Sequence, residues 1–520
     1  MPKYIPYDYN QSAMVVINYL DQLQPGTFEH AIHYLIDNKL DLSIFHCKYQ
    51  NEDNGRPAYD PAVLLKVILF AYSKGITSSR EIQWCCETNI IFKALSCDTV
   101  PHFTTIAAFV SGSSVQIAQL FEQVLLVCHQ QGLLGNELFA IDGCKMSSNA
   151  AKEWSGTFKE LAAKRDKLKR QIRYHLEQHK KLDERESADE ARKARHQKSI
   201  ETLNKAHDKI TDFLKTASPR MGRGKKRTEV KSNITDNESA KMTTSKGTIQ
   251  GYNGVAAVDK KHQIIVDAQA FGEGQEHHTL VPVLEKIQQR YKRMGISDNI
   301  FANNAIVTAD TGFANEANNS YLYQHNINGY VPDNQFRKRD PKFSEQKQKY
   351  GKRHQDKAKG QKPIFPSTAF AFDPIAMTCI CPAGKSLPCR GTRPEPDGQQ
   401  RALFGGRLLQ CRHCDLKEQC MLTPESANHR NGNGRQVSFL LKANAPPNYT
   451  DWMKQRVDSD AGKQIYSHRM SVVEPVFGNI GTNKRLNRFS LRGKTKVQGQ
   501  WQLFCMVHNL DKVSRYGKLE

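Results

Sequence analysis

Two short apolar runs, each closing on an aspartate and then a glycine, constrain this chain more than any other feature. The first is Leu138-Phe139-Ala140-Ile141-Asp142-Gly143, and the second runs from Asn304 through Val307 and Ala309 to Asp310-Thr311-Gly312. An apolar run of this length bounded by turn formers reads as a buried strand. One such strand with a terminal acid is an ordinary turn. Between these two, however, Thr248 to Val258 and His262 to Phe271 are strand-like runs joined by Asp259-Lys260-Lys261, which reads as a β-hairpin. Leu280, Val283, Leu284 and Ile287 then mark an amphipathic helix. Strand with Asp, hairpin, helix, strand with Asp is an arrangement, and it predicts an α/β core with both acids at strand ends.

The rest of the chain is read around that core. Residues 1–130 read as helical. Asp60 before Pro61 is an N-cap with proline at the first helical position, and Gly75 ends that helix. Ser78-Ser79-Arg80-Glu81 reads as a capping box for a second helix that turns Ile82, Cys85 and Cys86 inward. A third starts at Thr104 or Thr105 and runs towards Leu126. Two short helices across a glycine turn fit a helix-turn-helix, and equally a helical domain that only packs. In residues 155–216, Leu161, Leu168, His175 and Leu182 recur every seven positions, as do Ile200 with His207 and Leu203 with Ile210, predicting a charged helical hairpin. Arg220 to Lys231 is a basic loop, a linker or a phosphate contact. Trp501 to Leu510 is a closing apolar helix for the core.

The formal charge is +22, an excess that points to nucleic acid or another polyanion rather than to any particular fold. No apolar run approaches the roughly 20 residues needed to span a bilayer, and the N-terminus lacks the apolar stretch of a signal peptide. A cytosolic protein with mostly reduced cysteines is expected. Arg337 to Lys362, with Phe343 and Tyr350 interleaved, fits a DNA groove or a disordered loop. After it, Cys381, Cys411, Cys414 and Cys420 form the best four-ligand set for a structural zinc; plain buried thiols fit as well.

From Tyr466 to Gly493 one carboxylate, Glu474, lies among Arg469, Lys484, Arg485, Arg488 and Arg492. A surface ion-pair network would explain it. So would a metal held by Glu474 beside a polyanion held by the cations, provided two further carboxylates join it; Asp142 and Asp310 are the candidates. Arg80, Lys74 and Lys93 are candidate phosphate contacts in the helical segment.

These pieces together resemble the bacterial insertion-sequence transposases of the DDE class, most of all the group numbered eleven eighty-two. The resemblance spans essentially the whole chain. It is carried by Gly55-Arg56-Pro57-Ala58-Tyr59-Asp60-Pro61, Ser79-Arg80-Glu81-Ile82, Ile141-Asp142-Gly143, Gly251-Tyr252-Asn253 and Ala309-Asp310-Thr311-Gly312. Val331-Pro332-Asp333-Asn334, Cys381-Pro382-Ala383-Gly384 and Val473-Glu474-Pro475-Val476-Phe477-Gly478 complete it. The resemblance implies an RNase H-like mixed-sheet core in two segments, 131–150 and 247–330. A helical DNA-binding domain at 1–130 precedes them, and a charged helical insertion at 151–246 separates them. A basic, cysteine-rich insertion follows at 331–440, then a C-terminal core segment at 441–520 with the Glu-bearing helix.

It also implies that Asp142, Asp310 and Glu474 form an acidic triad holding Mg²⁺ or Mn²⁺, with Tyr466 and Arg469 as part of a terminal Tyr-Arg-Glu-Lys signature. Two departures stand out. Arg469 precedes Glu474 by one residue more than the usual helical turn, so a kink or a fresh helix start at Pro475 is needed for the two to converge. The expected lysine is replaced by Gly481, and Lys484 is the nearest substitute. The implied reaction is cleavage of double-stranded DNA at terminal inverted repeats, then joining of the freed 3′-hydroxyl to target DNA. A pair of ions about 4 Å apart would serve both steps. A homodimer on DNA in the bacterial cytoplasm, at the nucleoid, is implied too. The alternatives are an inactive DNA-binding relative and a nuclease of the same fold that cuts without joining.

Overall fold

The computed structural model describes residues 16–49, 57–183, 190–223, 227–245, 247–343, 364–374, 376–394, 400–441 and 448–518. Gly55, Arg56, Tyr350 and most of the basic stretch from Arg337 to Lys362 lie outside the described residues. The chain forms two compact units, one made of Met1–Asn334 with Met453–Glu520, the other of Gln335–Trp452.

The first unit begins with six helices: α1 (Phe28–Asn38), α2 (Pro61–Ser73), α3 (Ser79–Thr88), α4 (Ile90–Ser96), α5 (Phe103–Gly112) and α6 (Ser114–Gln130). Asp60 caps α2 as its sequence requires, accepting a hydrogen bond from the Ala62 amide at 2.7 Å. Gly75 follows the helix at φ +80°, in the left-handed region. The capping box at Ser78 does not form, for the Ser78 side chain makes no cap hydrogen bond. Burial of Ile82, Cys85 and Cys86 holds α3 in place instead. The single third helix is a further correction. Asn89 caps a short α4, accepting from the amides of Ile91 and Phe92. His102 caps α5, and the chain leaves helical geometry at Ser113 before α6 begins.

The sheet follows. Its strands are β1 (Leu138–Ser147), β6 (Ala240–Thr244), β7 (Gly247–Asp259), β8 (Ile265–Phe271), β9 (Ile306–Ala309) and β10 (Asn328–Tyr330). Small ladders outside it join β2 (Ser155–Gly156) to β5 (Ser232–Asn233) and β3 (Arg220–Met221) to β4 (Glu229–Val230). β9 is parallel to both β1 and β10, whereas β7 is antiparallel to β1, β6 and β8, so the sheet is mixed. Helix α9 (Leu280–Arg293) packs on β8, and α10 (Glu316–Gln324) links β9 to β10. The predicted helical hairpin is present as α7 (Phe158–Asp183) packed on α8 (Glu190–Thr216), with Leu161, Ile200 and Ile210 buried.

The closing helix, Lys494–Tyr516, is buried along almost its whole length from Val497 to Val513. It packs on α6 and on β8. Two of its amide side chains have a definite task, because they pair with the backbone of β8. Gln498 accepts from the Ala270 amide and donates to the Ala268 carbonyl, at 2.7 and 2.8 Å. Asn509 does the same for both backbone groups of Ile265, at 2.8 and 2.9 Å. Backbone groups that would otherwise be buried without partners are satisfied in this way. Among the described residues no helix is long and apolar enough to cross a membrane.

The second unit is built from two small sheets. One has β11 (Ala371–Asp373), β12 (Thr378–Ile380) and β13 (Ser386–Leu387), and the other β14 (Cys389–Pro394), β15 (Gln400–Gly405) and β16 (Gln436–Leu441). Phe370, Cys379, Leu387, Ala402, Phe404 and Val437 form their shared core.

Candidate active site

The parallel register brings the two aspartates together. The last pair between β1 and β9 is Ile141 with Ala309, so Asp142 and Asp310 are the next residues on neighbouring strands. Asp142 does not end its strand, as the sequence suggested. The long antiparallel partner β7 carries β1 onward to a Ser147–Gly251 pair, and only the pairing with β9 stops at Asp142.

The helix Asp460–Gly478 packs across β1, β9 and β10 and brings in Arg469. Its Nη1 donates to Asp142 Oδ2 at 2.7 Å, and its Nη2 lies 3.8 Å from Asp310 Oδ1. The Gly143 amide donates to the other Asp142 oxygen at 2.8 Å. Burial pushes the Asp142 carboxyl up, Arg469 and the Gly143 amide pull it down, and Asp310 adds a smaller upward push. Burial opposes the charge on Arg469, but Tyr466, Asp142 and Asp310 outweigh it and hold the guanidinium above its usual range. Tyr466 is one turn back on the same helix, its ring centre 5.8 Å from Arg469 Cζ.

A third carboxylate stands beside these two, and sequence reasoning missed it. Glu276 lies between β8 and α9. Asn253 Nδ2, on β7, donates to its Oε1 at 3.1 Å. Burial raises its carboxyl, Asn253 lowers it, and Asp142 and Asp310 both push it up. The glycines after the two aspartates make room for it. A Cβ at Gly143 would come within 2.5 Å of Glu276 Oε1, and one at Gly312 would run into Oε2. The Asp-Gly pair that read as a turn is therefore a space for a carboxylate. One sequence signal did exist: Asn253 is an amide just before the apolar Val255–Val258 part of its strand run, and a buried amide needs a partner.

The remaining candidates are spread more widely. Glu474 is on the Arg469 helix and is exposed. The helix runs through Pro475 without a fresh start, so five positions turn Glu474 about 140° from Arg469 on an ideal helix. Lys484 is buried and paired with Asp511 at 3.7 Å. Arg485 and Arg488 are exposed, and the segment carrying them runs beside the end of β1, where the Phe489 amide donates to the Ser147 carbonyl. Arg80 is exposed over the Phe103 ring at 4.9 Å.

Residues 380–514 match the family described as Transposase DDE domain, and residues 18–112 match the one described as Transposase domain (DUF772). The two matches support an insertion-sequence DDE transposase. No curated protein and no solved structure matches it. The matched spans of the transposase contain Arg80, the four cysteines and Glu474, whereas Asp142, Asp310 and Glu276 lie outside them.

In the second unit of the transposase, Cys381, Cys411, Cys414 and Cys420 all line one cavity of about 40 Å³. The Lys385 amide donates to Cys381 Sγ at 3.3 Å, within a turn closed by the Cys381 amide on the Lys385 carbonyl. Burial raises the Cys420 thiol, Arg435 lowers it, and the other three cysteines add upward. Among the described residues no three Cys, His, Asp or Glu side chains stand at metal-holding spacing, here or around Asp142.

Proposed function

We propose that this transposase cuts DNA at the ends of its element and joins the freed 3′-hydroxyl to target DNA, at Asp142 and Asp310. The observation that carries the reading is the pair of aspartates at adjacent positions on neighbouring strands, bridged by one buried arginine. The donors around them suit a hard divalent ion such as Mg²⁺ or Mn²⁺: they are carboxylate oxygens, joined by Asn253 Oδ1, a buried oxygen with no hydrogen-bond partner. When bound, such an ion would polarise the scissile phosphate and favour deprotonation of the attacking water or hydroxyl.

The chain's own residues do the rest. Asp142 and Asp310 would hold the ion. Arg469, positioned by Asp142, would hold a phosphate oxygen, and Tyr466 would steady it from the preceding turn. Arg485 and Arg488 are exposed cations for the DNA backbone. Glu474 remains the third acid by resemblance, and reaching the cluster requires a change at the Pro475 turn. The mixed sheet, with its acids at the close of the parallel pairing, supports an RNase H-like core; a place in the group numbered eleven eighty-two rests on the resemblance of the sequence motifs alone. Two element ends must be handled together, which favours a dimer on DNA.

The test uses purified full-length protein and linear DNA carrying the sequences that flank its gene. Nicked and joined products should form with Mg²⁺ or Mn²⁺ and vanish in excess EDTA. Robust cleavage in EDTA would overturn the metal mechanism, and nicking without joined products would leave only a nuclease.

The four cysteines line one cavity without standing at metal-holding spacing, so a structural zinc would have to draw them together, tying the two ends of residues 381–420. Purified protein should then carry about one zinc per chain. Metal analysis returning none leaves buried thiols.

A further inference from the structure

Three carboxylates act on one another here, and in the described contacts one buried guanidinium serves two of them. Arg469 bonds Asp142 and approaches Asp310. Glu276 has Asn253 as its described hydrogen-bond donor and Lys145, itself exposed, as the cation acting on it. Resting on the proposed reading of Asp142 and Asp310 as metal ligands, we infer that Glu276 is a further metal-holding carboxylate of the same site, oriented by Asn253.

The backbone holds Glu276 there deliberately. Its carbonyl accepts from both the amide and the hydroxyl of Thr279, at 3.0 and 2.9 Å, at the entry to α9. The carbonyl of the next residue, His277, accepts from Asn315 Nδ2 at 2.7 Å and Asn318 Nδ2 at 3.0 Å. Those two asparagines follow Asp310 around its turn into α10. The Glu276 segment is thus sewn to the Asp310 segment by two side chains, and the carboxylate reaches back over Gly312 and Gly143 to the strand bearing Asp142.

Asn253 supplies the independent observation. It is fully buried, one end of its amide holds Glu276, and the other end, Oδ1, has no partner. That oxygen sits 2.7 Å from where a Cβ at Gly143 would be, next to Asp142. A buried amide oxygen without a donor is costly, a penalty that a cation or its water would remove. A purely structural glutamate would be expected to have a full counter-charge and a satisfied amide. Here the group is all oxygen, negative in excess, and shaped by two glycines that leave it room.

The experiment titrates Mn²⁺ into full-length protein without DNA by calorimetry, alongside the cleavage assay. Glu276→Gln should weaken Mn²⁺ binding by at least about tenfold and lower cleavage with it. Glu276→Cys should restore cleavage in Mn²⁺ more than in Mg²⁺, because sulfur is the softer ligand. Glu276→Asp, which keeps the charge and shortens the reach, should raise the Mg²⁺ concentration needed for half-maximal cleavage, and it serves if the Gln variant folds poorly. Unchanged Mn²⁺ binding in Glu276→Gln overturns the inference, as does loss of cleavage with no metal-dependent rescue by Cys. Wild-type binding and cleavage in Asp142→Asn would instead overturn the site itself, so the two failures are distinguishable.

Discussion

Asp142→Asn or Asp310→Asn should leave this transposase folded and DNA-bound but without cleavage. The fold survives because an asparagine oxygen can still accept the hydrogen bond that Arg469 gives Asp142. Asp310, its side chain 39% exposed, loses little by the change. On the proposed reading, what each variant removes is a charged metal ligand. Residues that merely support a metal ligand cost 10–100-fold when mutated, so loss of a ligand should lower the rate by at least about 10³-fold, or about 4 kcal/mol of barrier. Filter binding should show DNA affinity within a few-fold of wild type, since the phosphate contacts come from cations. Cleavage retained in either variant removes that residue from the site. Glu474→Gln belongs in the same series: if it is equally inactive, the exposed Glu474 must turn inward when DNA is bound, and if it is active, the cluster around Glu276 is sufficient.

Acid should destabilise the first unit through His508. This histidine is on the closing helix, fully buried, with Nε2 donating to the Gln263 carbonyl at 2.9 Å and Nδ1 accepting from Asn479 Nδ2 at 3.0 Å. Both contacts suit the neutral ring with its proton on Nε2. Burial is the main cause that pushes its pKa down to about 4 from an ordinary 6.5. A depressed histidine contributes stability that is whole above the unfolded value and is lost as pH falls from about 6.5 towards 4. The full loss is about 3 kcal/mol. Denaturant melts at pH 7 and pH 4.5 should show it, and His508→Gln, which keeps a donor and an acceptor, should flatten this part of the profile. An unchanged pH slope in that variant would place the acid sensitivity elsewhere.

The chain order of strands, hairpin and helix was legible because those elements follow local rules. Alternating or continuous apolar runs with turn residues between them predicted β7, β8, α9 and the two aspartate strands, and heptad spacing predicted the hairpin of α7 and α8. Where local signals were weak, they were overruled by packing: the Ser78 box lost to burial of Ile82 and Cys86, and the break at Ser113 split a periodic run that looked continuous. The family was legible as well, from short motifs in a fixed order.

The site divides differently. Sequence alone marked Asp142 and Asp310 as acids that follow apolar strand runs; that Asp142 lies inside a longer strand and closes only its parallel pairing with β9 came from the structure. Only the tertiary structure decided which groups join them. Register between strands far apart in sequence placed Asp142 beside Asp310. A helix crossing brought Arg469 to both and turned Glu474 outward, because five residues are not a whole number of helical turns. Glu276 carries no motif, and Asn253, though within Gly251-Tyr252-Asn253, did not reveal which acid it would hold; the two come together through a hairpin that lays β7 beside β1 and a turn that hangs Glu276 over two glycines. Such proximity is a sum of long-range packing choices, and no window of neighbouring residues contains it.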